Sequence, residues 1–348
     1  MSPYIMIIVF TSLVAGTTTT LVSSHWLLAW MGLEINTLAI IPLMAKPHHP
    51  RATEATTKYF LIQAAAAAML LFSAATNAWL TGQWDLYQLT HPVPTAMITI
   101  ALALKIGLAP MHAWLPEVLQ GLDLTTGLIL STWQKIAPFS LLLQIQPTNT
   151  TVLIMLGVLS TLIGGWGGLN QTQLRKILAY SSIAHLGWMV LVLQFSPSLS
   201  LLTLLMYIMM TTSMFLLFKY NQSTNLNSLA TSWTNSPTLT SLTPLVLLSL
   251  GGLPPLTGFM PKWLILQELS KQDLALTATL TALSALLSLY FYLRISYAMT
   301  LTMAPNNLTG KMPWRFMSIQ TSMPLAISTS TTICLLPLTP TLSTLFNC

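Results

Sequence analysis

The chain has 348 residues, 53% of them hydrophobic and only 6% charged, with a formal net charge of +6. A soluble domain carries about a quarter charged residues, so this composition excludes a water-facing domain and, with a mean hydropathy of +0.69, implies a polytopic membrane protein. The basic residues are scattered over short loops and form no run, which excludes a nucleic-acid patch.

The N-terminus opens Met1-Ser2-Pro3 and passes straight into apolar sequence, so the first helix is expected to be retained rather than cleaved. Eleven apolar segments follow, near 3–23, 25–45, 59–80, 95–120, 125–144, 151–169, 177–195, 199–218, 241–268, 274–296 and 321–344. Most approach the ~20 residues that a spanning helix needs. The fourth is interrupted by Gly107 and Pro110, and the ninth by Gly251, Gly252, Pro254, Pro255, Gly258 and Pro261. The fold class is therefore an all-α polytopic membrane protein of about eleven transmembrane helices.

Loops alternate between two sides. The N-terminal side collects Lys46, Arg51, Lys58, Arg175, Lys176, Lys219, Arg294, Lys311 and Arg315, whereas the other side receives only Lys271. The positive-inside rule places the N-terminus in the cytoplasm or its mitochondrial equivalent, the matrix, and Cys348 on the opposite side. The polar stretch 221–241 reads as a loop with a short surface helix, and 302–317 as a second loop. Trp26, Trp79, Trp84 and Trp314 sit where interfacial anchors would.

Five ionisable residues lie deep within these segments: Glu34, Lys105, Lys135, His185 and Lys262. At ~1.5 Å rise per residue each sits about 12–15 Å inside, near the bilayer midplane. A charge there costs at least about 3 kcal/mol on the mildest insertion scale, so such residues are usually functional. Acid, amine and imidazole at one depth can pass protons. Lys105 and His112 are two turns apart and would share one polar channel if the break at Pro110 is small; carbonyls freed by that proline would bind water. The plain alternative, a snorkelling lysine at a packing kink, suits Lys105 poorly because of its depth. For His112 and His185 the alternative is a histidine bonded to a backbone carbonyl. Glu117 reads as an interfacial carboxylate or an uptake mouth, and Glu268 as the surface partner of Lys271.

Glu34 to Lys105 spans 71 positions and His185 to Lys262 spans 77. The two pairs are offset by five helices, and an odd number inverts the second copy. Positions 1–348 then form a single membrane domain of two inverted five-helix repeats, at about 1–145 and 151–296, each with a broken helix, followed by a C-terminal helix at 321–344.

Several patterns carry no site. Gly164-Gly165-Trp166-Gly167-Gly168 follows no strand and reads as close helix packing rather than a dinucleotide fingerprint. Cys334 and Cys348 are too few and too late for zinc or an iron–sulfur cluster. His48 and His49 read as loop residues without further metal ligands, and His25 and His91 as interfacial. No cofactor-binding or metal site is expected in this chain.

The segment Lys105-Ile-Gly-Leu-Ala-Pro110-Met-His112-Ala-Trp114-Leu-Pro116-Glu117 resembles the antiporter-like membrane subunits of respiratory complex I, which are related to the Mrp sodium/proton antiporters. Gly32-Leu33-Glu34, Gln134-Lys135, Leu178-Ala-Tyr180-Ser-Ser-Ile-Ala-His185-Leu-Gly187 and Gly252-Leu-Pro254-Pro-Leu-Thr-Gly258-Phe259-Met-Pro-Lys262 follow in the family's order. The wider family carries further N-terminal helices that this chain lacks, which counts against a free-standing antiporter.

The resemblance implies a translocase subunit of a proton-pumping NADH:ubiquinone reductase in the mitochondrial inner membrane. NADH, FMN, iron–sulfur clusters and ubiquinone would belong to other subunits, and chains 4 and 4L would be neighbours. Glu34 would pair with Lys105, Lys135 would bridge two half-channels, Lys262 would be the terminal donor, and His112 and His185 would be relays. The rival readings are an autonomous cation/proton antiporter and a scaffold whose buried charges are structural ion pairs.

Overall fold

The structure, a computed structural model, describes residues 3–46, 48–89, 91–145, 150–234, 237–301 and 322–346. The expected loop at 302–317, with Lys311, Trp314 and Arg315, and the C-terminal Cys348 lie outside the described residues.

The first three helices are α1 (Pro3–Val22), α2 (Trp26–Ala45) and α3 (Pro50–Thr81). His25 and His49 cap the second and third, each accepting from the backbone N–H two residues on at 3.2 Å. Both histidines are thus helix caps. Pro50 occupies the first turn of α3, where its missing N–H is an orphan in any case.

The fourth expected segment divides into α4 (Pro92–Ile106) and α5 (Trp114–Gly121), with seven non-helical residues between them. The fifth divides as well, into α6 (Leu124–Ser131) and α7 (Trp133–Ile145), separated by Thr132 alone. Next come α8 (Thr150–Gly167), α9 (Leu174–Val192) and α10 (Pro197–Tyr220). The polar loop holds the short α11 (Leu226–Ala230), started by a reciprocal cap between Asn225 and Ser228. The ninth segment divides into α12 (Pro237–Gly251) and α13 (Phe259–Lys271), and the long α14 (Ala275–Leu301) follows. The last segment is α15 (Met323–Cys334) and α16 (Thr339–Phe346), parted by a 3-10 turn that contains Pro337.

Among the described residues, α1, α2, α3, α8, α10 and α14 are each long and apolar enough to cross a membrane alone. The divided segments reach spanning length only as pairs of half-helices. Serine and threonine are abundant, yet they cost little here because their hydroxyls donate back to carbonyls three residues earlier. Thr20 bonds Thr17, Ser160 bonds Gly157 and Ser213 bonds Met210, at 2.7–2.8 Å.

The chain forms two compact units, 1–160 and 161–348, with the boundary inside α8. In the first, α1 packs along α2, and α3 along both α2 and α4. In the second, α12 packs on α14, and α10 contacts α9, α12 and α15. Large apolar side chains such as Ile8, Phe72, Leu283 and Tyr290 point outward, as a lipid-facing surface requires.

The glycine-rich end of α8 is a packing surface. A side chain at Gly164 would strike the backbone of Ala184 on α9, and one at Gly168 would strike the Phe291 ring on α14. Small residues here let three helices approach backbone to backbone.

Candidate functional site

Gly107, at φ +88°, ends α4 in a left-handed turn, and the N–H groups of Gly107 and Leu108 both reach the Ala103 carbonyl at 2.9 Å. Lys105 therefore sits in the last turn of a helix that stops inside the membrane. The carbonyl end of a helix is electronegative and favours a cation. Its Nζ lies 3.6 Å from Glu34 Oε1 on α2, and neither atom makes a hydrogen bond. Lys105 is buried, whereas the Glu34 side chain is 24% exposed.

Two of the carbonyls freed by this break are taken by side chains. Trp114 Nε1 donates to the Leu104 carbonyl at 3.2 Å, and Gln63 Nε2 donates to the Lys105 carbonyl at 3.3 Å. Side chains brought in by α5 and α3 thus hold two of the carbonyls at the break. His112 lies in the non-helical turn, with Nδ1 3.1 Å from the Pro110 carbonyl. It does not line the cavity beside Lys105. The break is seven residues wide, not small, so His112 leaves the helical register that would have placed it under Lys105.

That cavity, of about 20 Å³, is wide enough for one water and is walled by Lys105 and Lys135 together with Asn36, Tyr59, Gln63 and Gln134. Lys135 is buried in the first turn of α7, next to the break at Thr132. Gln134 holds the cavity's floor by donating to both the carbonyl and the side-chain oxygen of Asn36, at 3.1 and 3.2 Å. Glu34, Lys105 and Lys135 are thus gathered in one unit, with polar side chains between the two amines.

The second unit repeats the device with a different register. Gly252, at φ +78°, ends α12, and Leu253 N–H reaches back to the Leu248 carbonyl at 3.3 Å. Here the lysine comes from the half-helix after the break. Lys262 on α13 donates to the Gly251 carbonyl at 2.7 Å and so sits on the electronegative end of α12.

His185 on α9 has Nδ1 2.7 Å from the Ser181 carbonyl. A carbonyl only accepts, so Nδ1 carries a proton and Nε2 is the exchanging nitrogen. The ring leans on Tyr207 of α10 at 5.8 Å between centroids. Tyr207 bonds the Ser182 side chain, and Tyr292 of α14 is buried beside Ser181. Neither tyrosine stands out in the sequence, where each looks like one more aromatic in an apolar helix.

Three glutamates outside the buried row are paired with lysines. Glu117 lies 2.8 Å from Lys58, which also holds Glu54 at 2.8 Å, and Glu268 lies 3.3 Å from Lys271. Among the described residues, no three His, Cys, Asp or Glu side chains gather to hold a metal ion.

Residues 23–288 match the NADH:quinone oxidoreductase/Mrp antiporter transmembrane family, and residues 289–343 match the C-terminus of NADH dehydrogenase subunit 2. NADH-ubiquinone oxidoreductase chain 2 of Tetraodon nigroviridis is 74% identical over the whole of both chains, and that of Salmo salar is 68% identical over the same extent. A chain of respiratory complex I from Thermus thermophilus, solved with bound aureothin, superposes with a TM-score of 0.82 at 27% identity, over 94% of this chain and 77% of its own. The first match covers Glu34, Lys105, Lys135, His185 and Lys262, and this chain belongs to the NADH:quinone oxidoreductase/Mrp antiporter family.

Proposed function

We propose that this chain is a proton-translocating membrane-arm subunit of respiratory complex I, driven by NADH-to-ubiquinone electron transfer in other subunits. The observation that carries the reading is the Glu34–Lys105 pair at 3.6 Å, beside a cavity of one-water size that both Lys105 and Lys135 line. A carboxylate beside a buried amine favours its charged form, and burial opposes it. Movement or neutralisation of Glu34 therefore releases the Lys105 proton toward Lys135. Each transfer changes the field felt by the next group, and ~2.3 kcal/mol per charge per 100 mV sets the scale of the work.

In the second unit His185 relays and Lys262 is the terminal donor. His112 serves at most as a relay on the approach to the break, since its ring is held by the Pro110 carbonyl. The two inverted repeats account for a broken helix and a lysine in each unit. By the loop charges, the N-terminus faces the matrix and protons leave for the intermembrane space of the mitochondrial inner membrane. Redox cofactors reside in other chains, and chains 4 and 4L are the neighbours this reading requires.

The test is Lys135→Met in the assembled complex. Protons moved per electron are expected to fall while the complex still assembles; full pumping with methionine at this position removes Lys135 from the route. The Mrp branch of the family keeps the free-standing cation/proton antiporter as the rival. Migration of this chain outside the large NADH-oxidising band on a native gel, with cation flux in liposomes that contain it alone, would favour that rival.

A further inference from the structure

The second unit holds buried hydroxyls that the row of charged residues does not use. Tyr292 is wholly buried, yet its hydroxyl makes no hydrogen bond. It lies beside Ser181, whose own proton is committed to the Leu178 carbonyl at 2.8 Å. A buried polar atom without a partner is uncommon and calls for a reason. Its neighbours supply one. On one side lies Tyr207, which bonds Ser182 and leans on His185. On the other side the Tyr292 ring lies against Gly251, whose carbonyl takes the hydrogen bond from Lys262.

We propose that Tyr207 and Tyr292 are proton-relay residues that join His185 to Lys262. This rests on the pumping role given above. A phenol is both donor and acceptor, so it can pass a proton without ionising. Once His185 is protonated at both nitrogens, the proton leaving Nε2 forms a bond to the Tyr207 oxygen as that residue's own O–H bond, turned from Ser182, breaks toward Tyr292. The same exchange at Tyr292 delivers a proton to the neutral amine of Lys262, which becomes an ammonium on the Gly251 carbonyl. Each phenol ends as it began after its hydroxyl rotates, and no electrons are exchanged. Ser182, whose hydroxyl donates to a carbonyl of its own helix, is a fixed acceptor that aims Tyr207.

The experiment compares Tyr292→Phe, Tyr207→Phe and Lys262→Met in the assembled complex in membrane vesicles. Assembly on native gels, protons pumped per electron and the solvent deuterium isotope effect on coupled turnover are measured. Tyr292→Phe removes an oxygen that bonds nothing, so assembly should match the native complex. Coupled pumping should fall by about tenfold, below the full worth of a positioned proton-transfer group because water can substitute in part, and the isotope effect should rise. Tyr207→Phe should act in the same direction. Native pumping in Tyr292→Phe, alongside a loss in Lys262→Met, overturns the relay and leaves the pump standing. Native pumping in all three defeats the pumping role itself. Failure of Tyr292→Phe to assemble marks the hydroxyl as structural and also overturns the relay.

Discussion

Gly252 leaves room for Lys262: a Cβ at that glycine would lie 2.8 Å from Cδ and 3.0 Å from both Cε and Nζ of the lysine. The glycine is also left-handed, at φ +78°. One residue thus ends α12 and opens the passage through which the amine of α13 reaches the Gly251 carbonyl.

Gly252→Ala is therefore expected to act on the lysine as well as on the backbone. The left-handed conformation costs a residue with a Cβ about 1–2 kcal/mol, which a domain of this size tolerates. The displaced amine loses the Gly251 carbonyl, so pumping should fall toward the level of Lys262→Met while most of the complex still assembles. Native pumping with normal assembly would show that the position of Lys262 is not set by this contact.

The Glu34–Lys105 pair gives a second prediction, on stability. Removal of one partner leaves a buried charge without its counter-charge, whereas removal of both leaves none. Lys105 is buried and Glu34 is one-quarter exposed, which softens the penalty. Glu34→Gln alone should cost the complex roughly 1–3 kcal/mol of thermal stability, and Glu34→Gln with Lys105→Met less than the sum of the two singles. A double-mutant cycle read from melting of the isolated complex checks this. Strict additivity would mean that the pair at 3.6 Å carries no coupling.

How far the sequence reaches can be seen at the breaks. Glycine and proline between 107 and 116 and between 251 and 261 announce two of them, because glycine permits a left-handed turn and proline removes a donor wherever it stands. No glycine or proline stands at the Thr132 break, and Pro138, inside α7, frees the Gln134 carbonyl beyond it. The lysines, the glutamate and His185 are legible because a charge in an apolar run is costly in any fold. Gln63, Trp114, Tyr207 and Tyr292 are not, since each acquires its role from a partner on another helix. Gln63 reaches a carbonyl 42 positions away, which no local pattern encodes. His112 failed for the related reason that its expected place assumed a helix continuing through a seven-residue turn.

The approach of α8 to α9 gives the last prediction. An added Cβ at Gly164 would stand 2.6 Å from the Ala184 nitrogen and 2.9 Å from its Cα, both backbone atoms that cannot swing aside. Ala184 immediately precedes His185, so the helices could separate only by moving the histidine. Gly164→Val should therefore cost more than an ordinary overpacked site, at the upper end of about 1–3 kcal/mol, and lower the yield of assembled complex. Any complex that does form should also pump less, because the His185 ring moves relative to Tyr207. Leu159→Val, five residues earlier on α8 and exposed, is the control for β-branching in this helix. Equal losses from both would attribute the effect to the helix itself. A loss confined to Gly164→Val would attribute it to the contact that positions His185.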